Sequence, residues 1–446
     1  MIDVSIIVPT HNRRELLKEL LVALGLQTKG KLAFEVIIVA DGCQDGTKEL
    51  LACNEYAFPV SLVELPGVGP SLARNAGAKH ARADLLLFLD DDVIPTPNLV
   101  DAHARAHHLD GDRVVLGPYP PLPIRTPDLF RQFMQNWWKA HFARLASPGH
   151  KFRYSDLLTG NLSMSRTVWE RIGGLDPQFS RAREDIELGI RLMRAGIPFH
   201  FEPAALGWHY EHLTTTQRAG LRRKKEEGRS DARLLAKYPE LAPLLETDRI
   251  SRRRGILRRS VSYVVCKAGA GDTAIETLGL WLVNVMEKLG VIAWRNRVER
   301  LLKRYFYLRG ALEGFATLTT PYQPKPYCAS AVPTLDVDLR AGISLAEEIL
   351  SEQRPCAARI FFGPHQVCDL PYMPASEPWD GKHLRPYLAK HAAKQLIPLL
   401  IEDKEGGASQ DWRLRSSLNW IGATGYWPQV FENKQQWMSI GSSGSD

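Results

Sequence analysis

The sequence contains no run of roughly 18 apolar residues, the length a transmembrane helix requires. It has no CxxC pair, and its first strand-like segment is not followed by a glycine-rich phosphate loop. The first absence argues against a membrane-spanning helix. The second argues against a zinc site: the six cysteines (Cys43, Cys53, Cys266, Cys328, Cys356 and Cys368) are scattered and fit reduced thiols in a cytosolic setting. The third argues against a nucleotidyltransferase, since Pro9-Thr10-His11-Asn12 is no such loop. Met1-Ile2-Asp3-Val4 enters a strand at once, so no signal peptide is expected. What remains is an ordinary soluble composition, with 44% hydrophobic and 24% charged residues over 446, enough for two or three domains. The net charge of +7 is modest. It suits an anionic ligand or a membrane surface better than nucleic acid, which calls for more concentrated basicity.

The most informative stretch is Leu85-Leu86-Leu87-Phe88-Leu89-Asp90-Asp91-Asp92-Val93. Five apolar residues without alternation read as a strand buried on both faces, as in a parallel sheet. Three aspartates at its carboxyl end lie where open α/β sheets bind ligands. Crowded carboxylates repel unless a cation or donor groups neutralise them, and a divalent cation holding phosphates meets that need. The alternative is a solvated acidic turn, weakened here by the buried strand directly before it.

The same alternation runs through the first half. Strands at Val4–Pro9, Phe34–Val39 and Val60–Leu65 alternate with helices at Glu15–Leu26 and Pro70–Ala83, giving βαβ units and a mostly parallel sheet. Each polar loop of interest follows a strand's carboxyl end.

These residues resemble the family 2 glycosyltransferases. The likeness is carried by Val4–Arg13, Val39-Ala40-Asp41-Gly42, Leu72–Gly77 and Phe88–Asp92, then by Gly160–Ser165, Gly173–Asp176 and Arg183–Leu188. Together the set spans roughly residues 1–245. The resemblance implies a Rossmann-like GT-A fold with helices on both faces of the sheet. It also implies a nucleotide-sugar donor, most often a UDP-sugar, bound with Mn²⁺ or Mg²⁺, and a carbohydrate or other hydroxyl acceptor. Carried over residue by residue, it makes Asp92 a metal ligand and His209 a second one, with His212 as the fallback. Imidazole suits Mn²⁺ better than Mg²⁺. Asp90 would accept hydrogen bonds from ribose hydroxyls, with Asp91 sharing either role. Pro9, Thr10, His11, Arg13, Asp41 and Arg74 would line the nucleotide pocket, and Gly160 and Asn161 would lie near the donor sugar. One departure stands out: the family usually has two acidic residues after the second strand, and here the first is Ala40, leaving Asp41 to meet the base alone.

Glu184-Asp185 is the second acidic focus. Acidic residues in a helix's first turn are favoured by the macrodipole, so helix-end stabilisation is the plain reading. The resemblance makes Asp185 the general base of an inverting transfer, with Glu184 orienting the acceptor. Trp137-Trp138 read either as a sugar or lipid-interface platform or as core packing.

Beyond residue 245 the family pattern stops. The basic helix Thr214–Tyr238 reads as a lid over the diphosphate or as a solvated helix laced with salt bridges. Arg252–Arg254 and Arg258–Arg259 precede an apolar helix, Val261 to Trp294, broken by Gly269, Gly271 and Gly279. Residues 246–320 are therefore expected to form a basic, apolar helical region that touches a membrane surface or serves as a packed linker. Pro321–Pro326 marks a boundary, and 321–446 reads as an accessory domain with strands at Ala358–Phe362 and Gln395–Glu402 and a disordered Gly/Ser tail. Its tryptophans (Trp379, Trp412, Trp420, Trp427, Trp437) fit a β-rich core better than a carbohydrate-binding surface. The expected location is cytoplasmic, with peripheral contact at the inner face of the membrane. No oligomeric state is indicated. A non-catalytic sugar-nucleotide-binding or scaffold protein is the competing reading, for which Ala40 is the foothold.

Overall fold

The computed structural model describes residues 2–29, 32–53, 55–108, 111–125, 127–210, 215–245, 271–318 and 332–405. The chain divides into two compact units. The first comprises Met1–Phe142, Phe152–Cys328 and Pro374–Ser376; the second comprises Ala143–Lys151, Ala329–Met373 and Glu377–Asp446.

The first unit is built on a seven-stranded sheet of β1 (Val4–Thr10), β2 (Phe34–Asp41), β3 (Val60–Leu65), β4 (Leu85–Leu89), β6 (Val114–Leu116), β7 (Asn161–Ser165) and β8 (Phe199–Phe201), in the order β3-β2-β1-β4-β7-β6-β8. All pairs are parallel except the two that β7 makes, with β4 and with β6. This is the mostly parallel, GT-A-like α/β class the sequence leads one to expect. Val36 to Val39 and Leu86 to Leu89 are buried, as their unbroken apolar runs require. Two short strands, β5 (Val93–Pro95) and β9 (Gly207–His209), pair antiparallel beyond the sheet.

Helices α1 (Arg14–Gly25), α2 (Thr47–Ala52) and α3 (Pro70–His80) connect the first four strands. Gly77 lets α3 sit directly on the sheet, because a Cβ there would overlap Ile7. Next come α4 (Leu99–His107), α5 (Leu129–Leu145), α6 (Arg166–Ile172) and α7 (Glu184–Arg194). Three longer helices close the unit: α8 (Gln217–Lys237), α9 (Asp272–Lys288) and α10 (Ile292–Ala316). The expected Val261–Trp294 helix is corrected here. Its described part ends at Lys288, and a turn at Gly290 (φ +70°) begins α10. Gly279 lies inside α9, where its missing side chain admits Leu302. Helix α8 is packed rather than free. Gly228, Gly310 and Gly314 bring the backbones of α8 and α10 together, and the ion pairs Arg229–Glu313 and Lys225–Glu313 lace the contact. The salt bridges of the second reading are present, but the helix is packed against α10 and not solvated.

In the second unit β10 (Thr334–Asp338), β11 (Ala357–Phe362) and β12 (His365–Leu370) form a three-stranded sheet, with helices α11 (Ile343–Gln353), α12 (Gly381–His391) and α13 (Ala393–Glu405). The expected strand at Gln395–Glu402 is helical instead: Leu396, Leu399 and Leu400 meet the core at helical spacing. Trp379 is a core residue, packed with Val337, Leu350 and Ile360. Trp412, Trp420, Trp427 and Trp437 lie outside the described residues, as do His212, Arg252–Arg259 and the Pro321–Pro326 boundary.

Candidate active site

Sheet register assembles the first half of the site. Ile7 pairs with Phe88, so the residues three further on, Thr10 and Asp91, emerge together at the carboxyl edge. Thr10 Oγ1 donates to Asp91 Oδ2 at 2.8 Å. Arg13, just past β1, donates from one nitrogen to Asp91 Oδ1 at 2.8 Å and Asp92 Oδ2 at 3.1 Å. Asp90 pairs with the buried Arg74 of α3. The three aspartates thus have two arginines between them. Burial of Asp91 still pushes its carboxyl up to about 6, with Asp92 adding to the shift and Arg13 opposing it.

The pairing of β5 with β9 delivers His209. Val93 lies opposite His209, and Tyr210 N–H donates to the Asp92 carbonyl at 2.8 Å. His209 Nε2 then lies 3.4 Å from Asp92 Oδ1. Among the described residues no group of three His, Cys, Asp or Glu side chains stands ready to hold a metal. The Asp92–His209 pair nevertheless fits a cation that takes its remaining ligands from a diphosphate. It offers one hard carboxylate and one imidazole at a spacing that two adjacent ligand positions accept.

The antiparallel β4–β7 pair brings in Gly160, whose carbonyl accepts from Asp90 N–H at 3.1 Å. Any Cβ there would come within 2.7 Å of Asp90 Oδ2 and 2.9 Å of the Tyr119 ring. Glycine is thus required by close approach. Its neighbour Asn161, expected near the donor sugar, spends its side chain on the protein. Its side chain is buried, donating to the Ala205 carbonyl at 2.7 Å and the Pro118 carbonyl at 3.3 Å, with Oδ1 2.8 Å from His103 Nε2. It ties the strand to the loops around it and turns no group toward a ligand.

Asp41 is likewise occupied. Its carboxylate accepts from the backbone N–H groups of Gly67 (3.0 Å), Val68 (2.7 Å) and Gly69 (2.7 Å). Three of a carboxylate's roughly four acceptor directions are filled. It therefore holds the loop leading into α3 and has little left for a base. His11 Nδ1 lies 2.5 Å from the Asp41 carbonyl, and Pro9 lies in β1 opposite Val39.

The second half of the site is the start of α7. Arg183 before it adopts φ +67°, rare for a side chain of that size, and is clamped by Asp231 of α8 at 2.8 Å and Glu227 at 3.5 Å. Tyr307 of α10 donates to the same Asp231 at 2.6 Å. Glu184 and Asp185 follow, and among the described residues neither makes an ion pair. Asp185 takes only the N–H of Ile186, at 2.7 Å. Burial raises both carboxyls above the ordinary range, Glu184 to about 7 with Asp185 adding to it. Arg74 and Arg223 act on the pair from a distance and oppose the shift.

Tyr119 joins the halves, and the sequence reading missed it. It lies in the loop after β6, and its electrostatic surroundings include both Asp90 and Asp185. Burial, then those two charges, raise its hydroxyl well above 10. Its ring packs on Trp138, Phe142 and His209, with centroids 5.0, 5.6 and 5.5 Å away. Trp138 is thus core, while Trp137 is about half exposed. The only signal was the Gly117-Pro118-Tyr119-Pro120-Pro121 loop directly after a buried strand.

Residues 5–164 match the model of the glycosyl transferase family 2. That match lies wholly within the N-terminal part of the chain. It is similar to validoxylamine A glucosyltransferase of Streptomyces hygroscopicus subsp. jinggangensis, at 31% identity over 239 residues, covering 47% of this chain and 56% of that protein. It is also similar to the poly(ribitol-phosphate) beta-N-acetylglucosaminyltransferase of Staphylococcus aureus, at 37% identity over 115 residues, 25% of this chain and 20% of that one. Among solved structures, a mannosyltransferase from Pyrobaculum calidifontis in complex with GDP-Man and Mn²⁺ superposes with a TM-score of 0.43 at 17% identity, over 70% of this chain and 86% of that one. The chain spans about half the length of the first two curated relatives it matches, 56% and 52%.

Proposed function

We propose that this family 2 glycosyltransferase moves a hexosyl group from a UDP-sugar to an acceptor hydroxyl with inversion, and that residues 1–245 carry the chemistry. One observation supports this above the others. Distant segments bring an arginine-paired aspartate cluster (Asp90–Asp92) and a carboxyl pair without an ion pair among the described residues (Glu184–Asp185) close enough that Asp90 and Asp185 both act on Tyr119.

Asp92 and His209 would hold Mn²⁺ or Mg²⁺, which when bound supplies Lewis-acid stabilisation of the departing diphosphate. Arg13 bridges Asp91 and Asp92 and orients them. Asp90, fixed by Arg74, accepts from the ribose hydroxyls, and Thr10 and His11 line the nucleotide side. Gly160 lets Asp90 and Tyr119 pack against its backbone on the side where the donor sugar would lie. Asp185 takes the proton from the acceptor hydroxyl as that oxygen bonds to the anomeric carbon. The bond from carbon to diphosphate oxygen breaks, and UDP leaves with the electron pair. Glu184 orients the acceptor, and the raised carboxyl of Asp185 makes it a stronger base than a solvated one. Asp41 contributes by holding the 67–69 loop.

The test is calorimetric binding of UDP and of GDP, each with and without Mn²⁺. UDP binding that strengthens with Mn²⁺, and loses that dependence in Asp92→Ala, is the expected result. Binding of neither nucleotide would instead favour a non-catalytic scaffold.

A further inference from the structure

We infer that the α9–α10 hairpin is a docking surface for an anionic lipid bilayer. One side of the hairpin is spoken for. Val283, Leu302, Tyr305 and Phe306 form a core with Leu221 of α8. All five carboxylates of residues 271–318 are drawn into ion pairs: Asp272 with Lys225, Glu276 with Arg218, Glu287 and Glu299 with Arg295, and Glu313 with Arg229.

The other side has opposite character. Leu278 and Trp281 continue at helical spacing toward the turn, where Leu289 (71% exposed), Val291, Ile292 and Trp294 are all exposed. Lys288, Arg297 and Arg300 flank this tip, exposed, and among the described residues none of them makes an ion pair. The Arg297 guanidinium lies 5.3 Å from the Trp294 ring centroid. An apolar tip edged by tryptophans and cations, with every carboxylate neutralised elsewhere, is complementary to a negatively charged interface. Tryptophan rings favour the headgroup level, and cations near an anionic surface are each favourable. No described helix is long and apolar enough to cross a membrane, so the contact is interfacial. The inference does not depend on the transferase reading.

The experiment is partition of the full chain onto vesicles of phosphatidylglycerol mixed equally with phosphatidylcholine, against phosphatidylcholine alone. Three proteins are compared: wild type, a Trp281→Ser/Leu289→Ser/Trp294→Ser variant, and an Arg297→Glu/Arg300→Glu variant. Their thermal unfolding reports folding. Wild type should prefer the anionic vesicles. The apolar variant should bind them at least about tenfold more weakly. The charge variant should lose about fivefold or more per site on anionic vesicles only. Equal partition of wild type onto both vesicles would overturn the inference, as would an apolar variant that binds like wild type. So would a wild-type dimer that the apolar variant dissolves, since the face would then join two copies of the chain.

Discussion

Glu187 and the pair Glu184–Asp185 leave the same helix one turn apart and meet opposite surroundings. Glu187 is fully buried, yet Arg191 grips both its oxygens at 2.7–3.0 Å, Lys237 approaches to 2.7 Å and Tyr238 donates at 2.8 Å. Burial alone would raise its carboxyl, but these donors outweigh it and hold the group below its usual range. Among the described residues Glu184 and Asp185 have no such partners, and burial pushes them the other way. The first arrangement is that of a carboxylate kept charged for structure. The second is that of a carboxyl able to exchange a proton near neutral pH. Chemical identity and sequence neighbourhood are nearly the same, so the difference lies in Arg191 one turn further along and in what the end of α8 brings alongside.

The comparison breaks most visibly in Asp185→Asn. Removing a general base costs about 10²- to 10⁴-fold. The rate of acceptor-dependent UDP release should fall by that much while UDP affinity stays near wild type. Full turnover in this variant would put the base elsewhere. The pH profile should show the same pair. Because the base works deprotonated and burial raises its carboxyl, the rate should rise by up to about tenfold per pH unit through the mildly acidic range and level off at higher pH. Arg74, Arg183, Arg223, Glu227 and Tyr119 surround the pair, so the apparent value belongs to the group. A profile flat from pH 5 to 8 would contradict the assignment. Glu187→Gln sharpens the other side. With Arg191 and Lys237 left facing a neutral amide, stability should drop by about 2–3 kcal/mol in urea unfolding, with little change in the rate per folded molecule.

Much of this was legible beforehand where physics is local. The Leu85–Leu89 strand has the expected ends because five apolar residues in a row leave a buried strand few alternatives. The α/β class followed from that alternation. What Asn161 and Asp41 bond to was not legible for a shared reason: a polar side chain in a motif looks the same whether it faces a ligand or its own backbone, and only the tertiary structure supplies the Ala205 carbonyl or the Gly67–Gly69 amides. Tyr119 was missed because a loop carries no periodicity. Gln395–Glu402 went wrong because a short Leu/Ile run satisfies both strand and helix until Leu396 and Leu400 find a core.

The most direct test of the difference within α7 needs no substrate. A carboxyl whose folded value is raised binds its proton more tightly in the folded chain, so folding loses stability as pH rises from the unfolded value through the folded one. The measurement is urea unfolding of wild type and Asp185→Asn at pH 5 and pH 8. The account predicts that wild type loses more stability than the variant between the two, so that the variant gains on wild type at pH 8. Equal losses in both proteins would mean that Asp185 is not held at a cost, and the contrast with Glu187 would fall.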